Sequence, residues 1–117
     1  MHKAQTLVIQ CIDLRFQKMV DEDLEKRGLK EKFDRISWPG ASLDLNNVKN
    51  SAEVSLKLHD PDEIIVYEHE DCGAYGNDNS PNRHKENALK LIKALQKTKP
   101  SLKTVTLIAT FIGVKSL

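Results

Sequence analysis

The chain has little of what most specialised protein classes need. Its longest apolar runs fall far short of the roughly 20 residues that cross a bilayer, and Met1-His2-Lys3-Ala4-Gln5-Thr6 leads into a strand pattern instead of a signal h-region. A soluble cytoplasmic protein is the expectation, with no membrane partner. Charge of one sign is missing too. The 18 Lys and Arg stand against 17 Asp and Glu, a formal charge of +1, so no global field favours nucleic acid or an acidic surface. Aromatics are only 5% of residues, and no basic face is interleaved with them, so no nucleic-acid partner is expected. Cysteine is limited to Cys11 and Cys72. Without a sign of secretion, a metal or a reactive thiol is a better reading of that pair than a disulfide staple.

Rival catalytic motifs are absent as well. There is no Cys-x-x-Cys pair, no G-x-G-x-x-G after the first strand pattern, no Walker A sequence and no Ser nucleophile elbow. Cys11 and Arg15 stand too close in sequence for a thiol phosphatase loop, which needs a longer gap to ring a phosphate with amides. Repeats, low-complexity stretches and linkers are also lacking. Residues 1–117 are therefore read as one domain, able to bury roughly two thirds of its unfolded surface.

What is present is an alternation of strands and helices. Thr6 to Ile12 is a nearly continuous apolar run, the pattern of a strand covered on both faces. Leu14 to Arg27 carries Phe16, Met19, Val20 and Leu24 at helical spacing, with Asp13 before it and Gly28 as a stop. Phe33 to Trp38 alternates as a second strand and exits through Pro39-Gly40-Ala41-Ser42. A second helix is expected from an Asn46 or Asn47 cap, with Val48, Ala52, Ser55, Leu56 and His59 on one face, ending before Asp60-Pro61. Glu63 to Glu68 is the third strand. Ser80-Pro81 opens a third helix, whose buried stripe is Ala88, Leu89, Leu91, Ile92 and Leu95, and Val105 to Ile112 is the fourth strand.

This order predicts a three-layer α/β fold, a parallel sheet of about four strands in order 2-1-3-4 with helices on both faces. Strands one and three are then neighbours at the topological switch point, where ligands bind beyond the carboxyl ends. Cys11 closes strand one, and His69 and Cys72 lie just past strand three. Neighbouring strands are about 4.8 Å apart, so the three side chains can converge on one ion. Two thiolates and an imidazole suit zinc and leave a fourth tetrahedral position for water, hydroxide or a carboxylate. Asp13 and Arg15 overhang the same crevice. Held by Arg15, Asp13 would orient an oxygen at the open position; released, it could close that position. Two thiolates acidify bound water less than an all-histidine site does, which favours mildly alkaline activity.

Cys11-Ile12-Asp13-Leu14-Arg15, followed by His69-Glu70-Asp71-Cys72-Gly73, resembles the Cys-x-Asp-x-Arg and His-x-x-Cys-Gly motifs of the beta-class carbonic anhydrases, and the likeness runs on to about Gly76. The resemblance implies Zn2+ held by Cys11, His69 and Cys72, with Asp13 and Arg15 as the catalytic pair. It implies reversible hydration of carbon dioxide to bicarbonate by zinc-bound hydroxide, in a homodimer or higher homo-oligomer. Carbonyl sulfide or carbon disulfide is a second possible substrate. Two different readings of the same residues stay open: a zinc-binding protein without turnover, with Asp13 as a permanent ligand, and a thiol redox pair of Cys11 and Cys72. Gly40 and Gly73 are expected beside the substrate, as turn residues that let backbone approach the ion.

Singly, these residues have plainer roles. Cys11 alone reads as a buried core thiol, Arg15 as a surface charge and Asp13 as a helix cap. His69 alone reads as a cap or a backbone hydrogen-bonding group. Tyr75 is open between cleft, interface and packing. His2, His59 and His84 are expected to be structural or solvated, since none falls at a strand's carboxyl end.

Overall fold

The computed structural model describes residues 2–117. Five strands form one sheet in the order β2-β1-β3-β4-β5, with β1 at Thr6–Gln10, β2 at Phe33–Ser37, β3 at Glu63–His69, β4 at Lys103–Thr110 and β5 at Gly113–Ser116. The first four run parallel, and β5 folds back antiparallel to β4. The order expected for strands one to four is observed. The fifth strand is an addition: Phe111 and Ile112, expected to extend β4, form the turn that reverses the chain. There the Thr110 hydroxyl donates to the Gly113 carbonyl, 2.8 Å, and closes the turn.

Helices cover both faces. α1 (Gln17–Lys26) lies on one, where Val20 and Leu24 meet Val8, Ile65 and Tyr67. α2 (Leu45–His59) and α3 (Pro81–Thr98) lie on the other, packing Val48, Ala52, Leu91 and Leu95 against Leu7, Ile9, Ile64 and Val66. Adjacent strand residues point to opposite faces, so Leu7 and Ile9 serve one layer and Val8 the other. All five residues of β1 are buried, as its unbroken apolar run requires.

Local chemistry moves several boundaries. Helix one does not begin at Leu14: Leu14–Phe16 is a 3-10 turn capped by Asp13, whose carboxylate accepts from Arg15 N–H, and the α-helix starts at Gln17. α2 is capped by Asp44 rather than Asn46 or Asn47, its side chain accepting from Asn47 N–H. Ser80 and Pro81 cap and open α3 as expected. Leu89 is 41% exposed, and His84 and Asn87 take places in the buried stripe.

Candidate metal centre

β1 and β3 are hydrogen-bonded neighbours paired Thr6 with Glu63 through Ile9 with Val66. That register brings the carboxyl ends together. Cys11 is the first residue after β1, His69 is the last residue of β3 and not beyond it, and Cys72 follows on a short turn through Asp71 at φ 54°.

The candidate ligand atoms of Cys11, His69 and Cys72 lie within 4.8 Å of one another. Cys11 Sγ is 4.0 Å from Cys72 Sγ. Thiolates about 2.3 Å from a tetrahedral zinc stand about 3.8 Å apart, whereas bonded sulfurs are about 2.05 Å apart. The spacing is that of two ligands of one ion, and both cysteines are free thiols.

The imidazole is prepared in the same sense. His69 Nδ1–H donates to the Glu70 carbonyl at 2.6 Å, the bond that fixes the tautomer with a lone pair on Nε2. The ring stacks on Phe16, centroids 4.5 Å apart. Nε2 is buried and has no hydrogen-bond partner. A buried polar atom left unpaired is costly, and a cation held with the two sulfurs satisfies this one. The donor set therefore fits zinc.

Two electrostatic features distinguish the thiols. Burial opposes ionisation of Cys11, but in the metal-free chain a hydrogen bond from a protonated His69 ring, whose own pKa is raised by the same contact, and the backbone N–H groups of Gly40 and Asp13 outweigh it and hold the Cys11 pKa below the ordinary thiol value. Burial pushes Cys72 the other way, and the nearby Cys11 adds to it. Gly40 has φ +79°, and a Cβ there would meet Leu43 Cβ at 2.7 Å. Its N–H reaches Cys11 Sγ at 3.4 Å, so Gly40 contacts a candidate ligand directly.

Asp13 is gripped by Arg15 through Nε to Oδ1 at 3.1 Å and Nη2 to Oδ2 at 2.7 Å. Arg15 is gripped in turn by Asp71, through its carboxylate and its carbonyl, both at 2.9 Å. Hydrogen bonds from Arg15 hold the Asp13 carboxyl down at about 2, so it is an ionised acceptor at any working pH. Asp13 Oδ2 lies 3.8 Å from His69 Nε2. Beside them opens a cleft of about 350 Å³, walled by Ile12, Leu14, Pro39, Gly73 and Ala74. Gly73 is thus at the cleft, but with an unstrained backbone and open space around it.

Three participants carry no motif in the sequence: Phe16 beneath His69, Asp71 behind Arg15, and Glu68. Glu68 is 1% exposed and accepts hydrogen bonds from Ser42, Tyr75 and His84. Its one signal in the sequence is a carboxylate inside a run that burial on both faces should keep apolar. Tyr75, half-buried, packs in this cluster, stacked on His84 at 3.8 Å with its hydroxyl on Glu68. His59 is held by Asp34 at 2.8 Å, and His84 is buried between Glu68 and Asn79, so neither is simply solvated.

Over residues 1–116 the chain matches the family model described as "Putative carbonic anhydrase". The chain belongs to that carbonic anhydrase family. Among curated relatives, an uncharacterized protein of Rickettsia conorii is 32% identical over 133 aligned positions, covering 97% of this chain and 72% of the relative. Another, from Rickettsia bellii, is 30% identical, covering 97% and 81%. Among solved structures, the β-carbonic anhydrase CafA of Aspergillus fumigatus superposes with TM-score 0.67 at 13% identity, over 99% of this chain and 76% of that one. One of the tetrameric β-carbonic anhydrases of Sordaria macrospora gives 0.66 at 14% identity, over 100% and 82%. The fold of this family member is thus that of the β-carbonic anhydrases.

Proposed function

We propose that this family member is a zinc-dependent carbonic anhydrase, a lyase that interconverts carbon dioxide and bicarbonate. The observation that carries the reading is the convergence of Cys11, His69 and Cys72 around an unpaired buried His69 Nε2, beside an Arg15-held Asp13.

Cys11, His69 and Cys72 would hold the ion, and a bound zinc supplies the Lewis acidity that makes water a nucleophile near neutral pH. The chain's own groups do the rest. Asp13, an acceptor only, takes a hydrogen bond from the oxygen nucleophile and sets its orientation. Arg15 and Asp71 keep that carboxylate turned to the task and away from direct ligation. This favours the open form over a zinc site permanently closed by Asp13. Ile12, Leu14, Pro39 and Ala74 present apolar walls suited to a small linear substrate and poor in competing water. Carbonyl sulfide and carbon disulfide share that shape, and carbon dioxide is the substrate we assign first.

A homo-oligomer, a dimer or larger, belongs to this reading. Leu14 is 85% exposed at the cleft, and Ile112 86% exposed at the β4–β5 turn, apolar surface that a second copy would cover. We place the protein in the cytoplasm, a reducing compartment in which a Cys11–Cys72 pair stays available to a metal. No described helix is long and apolar enough to cross a membrane.

The test is metal content measured together with hydration. Protein purified under reducing conditions should carry close to one zinc per chain and hydrate carbon dioxide, and Cys72→Ser should lose both. Zinc-free, inactive wild-type protein that cannot be loaded would overturn the reading.

A further inference from the structure

Behind the metal centre, on the α2/α3 side of the sheet, lies a buried polar cluster that the proposed chemistry does not use. Glu68, in β3, is its hub. One carboxylate oxygen accepts from Ser42 Oγ at 2.8 Å and from Ser42 N–H at 3.3 Å. The other accepts from Tyr75 OH at 2.9 Å and faces His84 Nδ1 at 2.7 Å. Asn87 completes the cluster by donating to the Tyr75 hydroxyl at 3.1 Å.

Two arms leave this hub, and each ends at a cysteine. The first runs through Ser42 into the turn after β2, where Gly40 and Ala41 stand consecutively at φ +79° and +55°. Left-handed geometry at a buried alanine is unfavourable and persists only where surrounding contacts fix it. Glu68 grips the next residue, and the fixed turn aims Gly40 N–H at Cys11 Sγ. The second arm runs through His84 Nε2 to Asn79 Oδ1 at 3.2 Å. Asn79 then clasps the Cys72 backbone at both groups, Oδ1 accepting from its N–H at 3.0 Å and Nδ2 donating to its carbonyl at 2.9 Å.

That clasp also fixes the protons. Cys72 N–H must donate and Cys72 C=O must accept, so Asn79 Oδ1 is an acceptor toward His84, and Nε2 carries a hydrogen. Ser42, Tyr75 and His84 together reach both oxygens of Glu68, which is how a carboxylate with 1% exposure is tolerated inside the sheet.

We propose that Glu68 and His84 are positioning residues for the metal centre, a buried pair that sets both cysteine ligands from behind. The proposal rests on the reading of Cys11, His69 and Cys72 as zinc ligands. Groups one bond removed from metal ligands commonly change metal affinity by about 10- to 100-fold. Simple packing filler would change stability alone.

The experiment measures zinc affinity by chelator competition, and the absorption of the cobalt(II)-loaded protein, in wild type, Glu68→Gln, Asn79→Ala and Asp34→Asn. The last is a control: Asp34 anchors Ser55 and His59 in a polar cluster at β2, away from the metal centre. Glu68→Gln and Asn79→Ala should each weaken zinc about 10- to 100-fold and alter the thiolate-to-cobalt band, while Asp34→Asn changes neither. If Glu68→Gln fails to fold, Asn79→Ala, on the turn after Cys72, decides. Variants that bind as tightly as wild type with an unchanged spectrum would overturn the proposal and leave the metal site standing. Wild type that binds neither metal would overturn the ligand reading and the proposal with it.

Discussion

Cys11 Sγ and Cys72 Sγ meet at 4.0 Å across 61 positions of sequence, and their environments push them in opposite directions. Burial works against both thiolates, but in metal-free protein only Cys11 has a protonated His69 ring and two backbone N–H groups to outweigh it. In metal-free protein at neutral pH, Cys11 should therefore be alkylated well before Cys72. Zinc should protect both. Peptide mapping after a short iodoacetamide pulse checks the order, and faster labelling of Cys72 would contradict the electrostatic picture.

Arg15 grips Asp13 and Asp71 with a planar fork, and a lysine offers one point charge in its place. Arg15→Lys should leave zinc content near one per chain and lower kcat at least about tenfold, the scale of a misoriented acceptor. Asp71→Asn should have a smaller effect of the same sign. Unchanged kcat in Arg15→Lys would show that Asp13 does not depend on this clamp.

Gly40→Ala puts a side chain 2.7 Å from Leu43 Cβ at a φ of +79°. A stability loss of about 1 to 3 kcal/mol is expected from the strain. Because Gly40 also donates to Cys11, zinc affinity should fall as well. Denaturant titration and chelator competition read the two effects separately. By contrast, Gly73→Ala meets open space and should be mild in stability.

Acid should weaken the metal-free protein through Asp13, Asp60 and Asp62. Arg15 holds the Asp13 pKa near 2, from an ordinary value of 3.8. Lys99, with Lys3, lowers Asp60, and Lys3 lowers Asp62. A carboxylate whose folded pKa is depressed contributes stability above its unfolded pKa, and that contribution is lost as pH falls through the folded value. The loss for Asp13 therefore falls between about pH 4 and pH 2. Asp13→Asn should flatten the pH dependence of the unfolding midpoint in that window, and an unchanged slope would contradict the assignment.

The convergence of Cys11, His69 and Cys72 was legible in the sequence because each sits at or just past the end of an apolar run. The run ending at Gln10 had to be a covered strand, the run through Tyr67 another, and the βαβ connections left them adjacent. Asp13 and Arg15 were legible through the turn that follows Cys11. β5 was not, because Phe111 and Ile112 continue the apolar run of β4 and only the Thr110 bond to Gly113 marks the reversal. Leu89 fitted the helical stripe, but its position points outward while His84 and Asn87 are drawn inward by Glu68 and Tyr75. Glu68 itself could not be placed from sequence. Its partners Ser42 and His84 lie 26 and 16 positions away, on a loop and a helix whose relation to β3 exists only in the folded chain.

The most direct test is stopped-flow carbon dioxide hydration by the zinc-loaded protein at mildly alkaline pH, with carbonyl sulfide as a parallel substrate. The rate should rise in proportion to bound zinc, disappear in Cys72→Ser, and be larger for carbon dioxide than for carbonyl sulfide. Zinc-loaded protein that leaves carbon dioxide hydration at its uncatalysed rate would contradict the assignment of this site as a carbonic anhydrase centre.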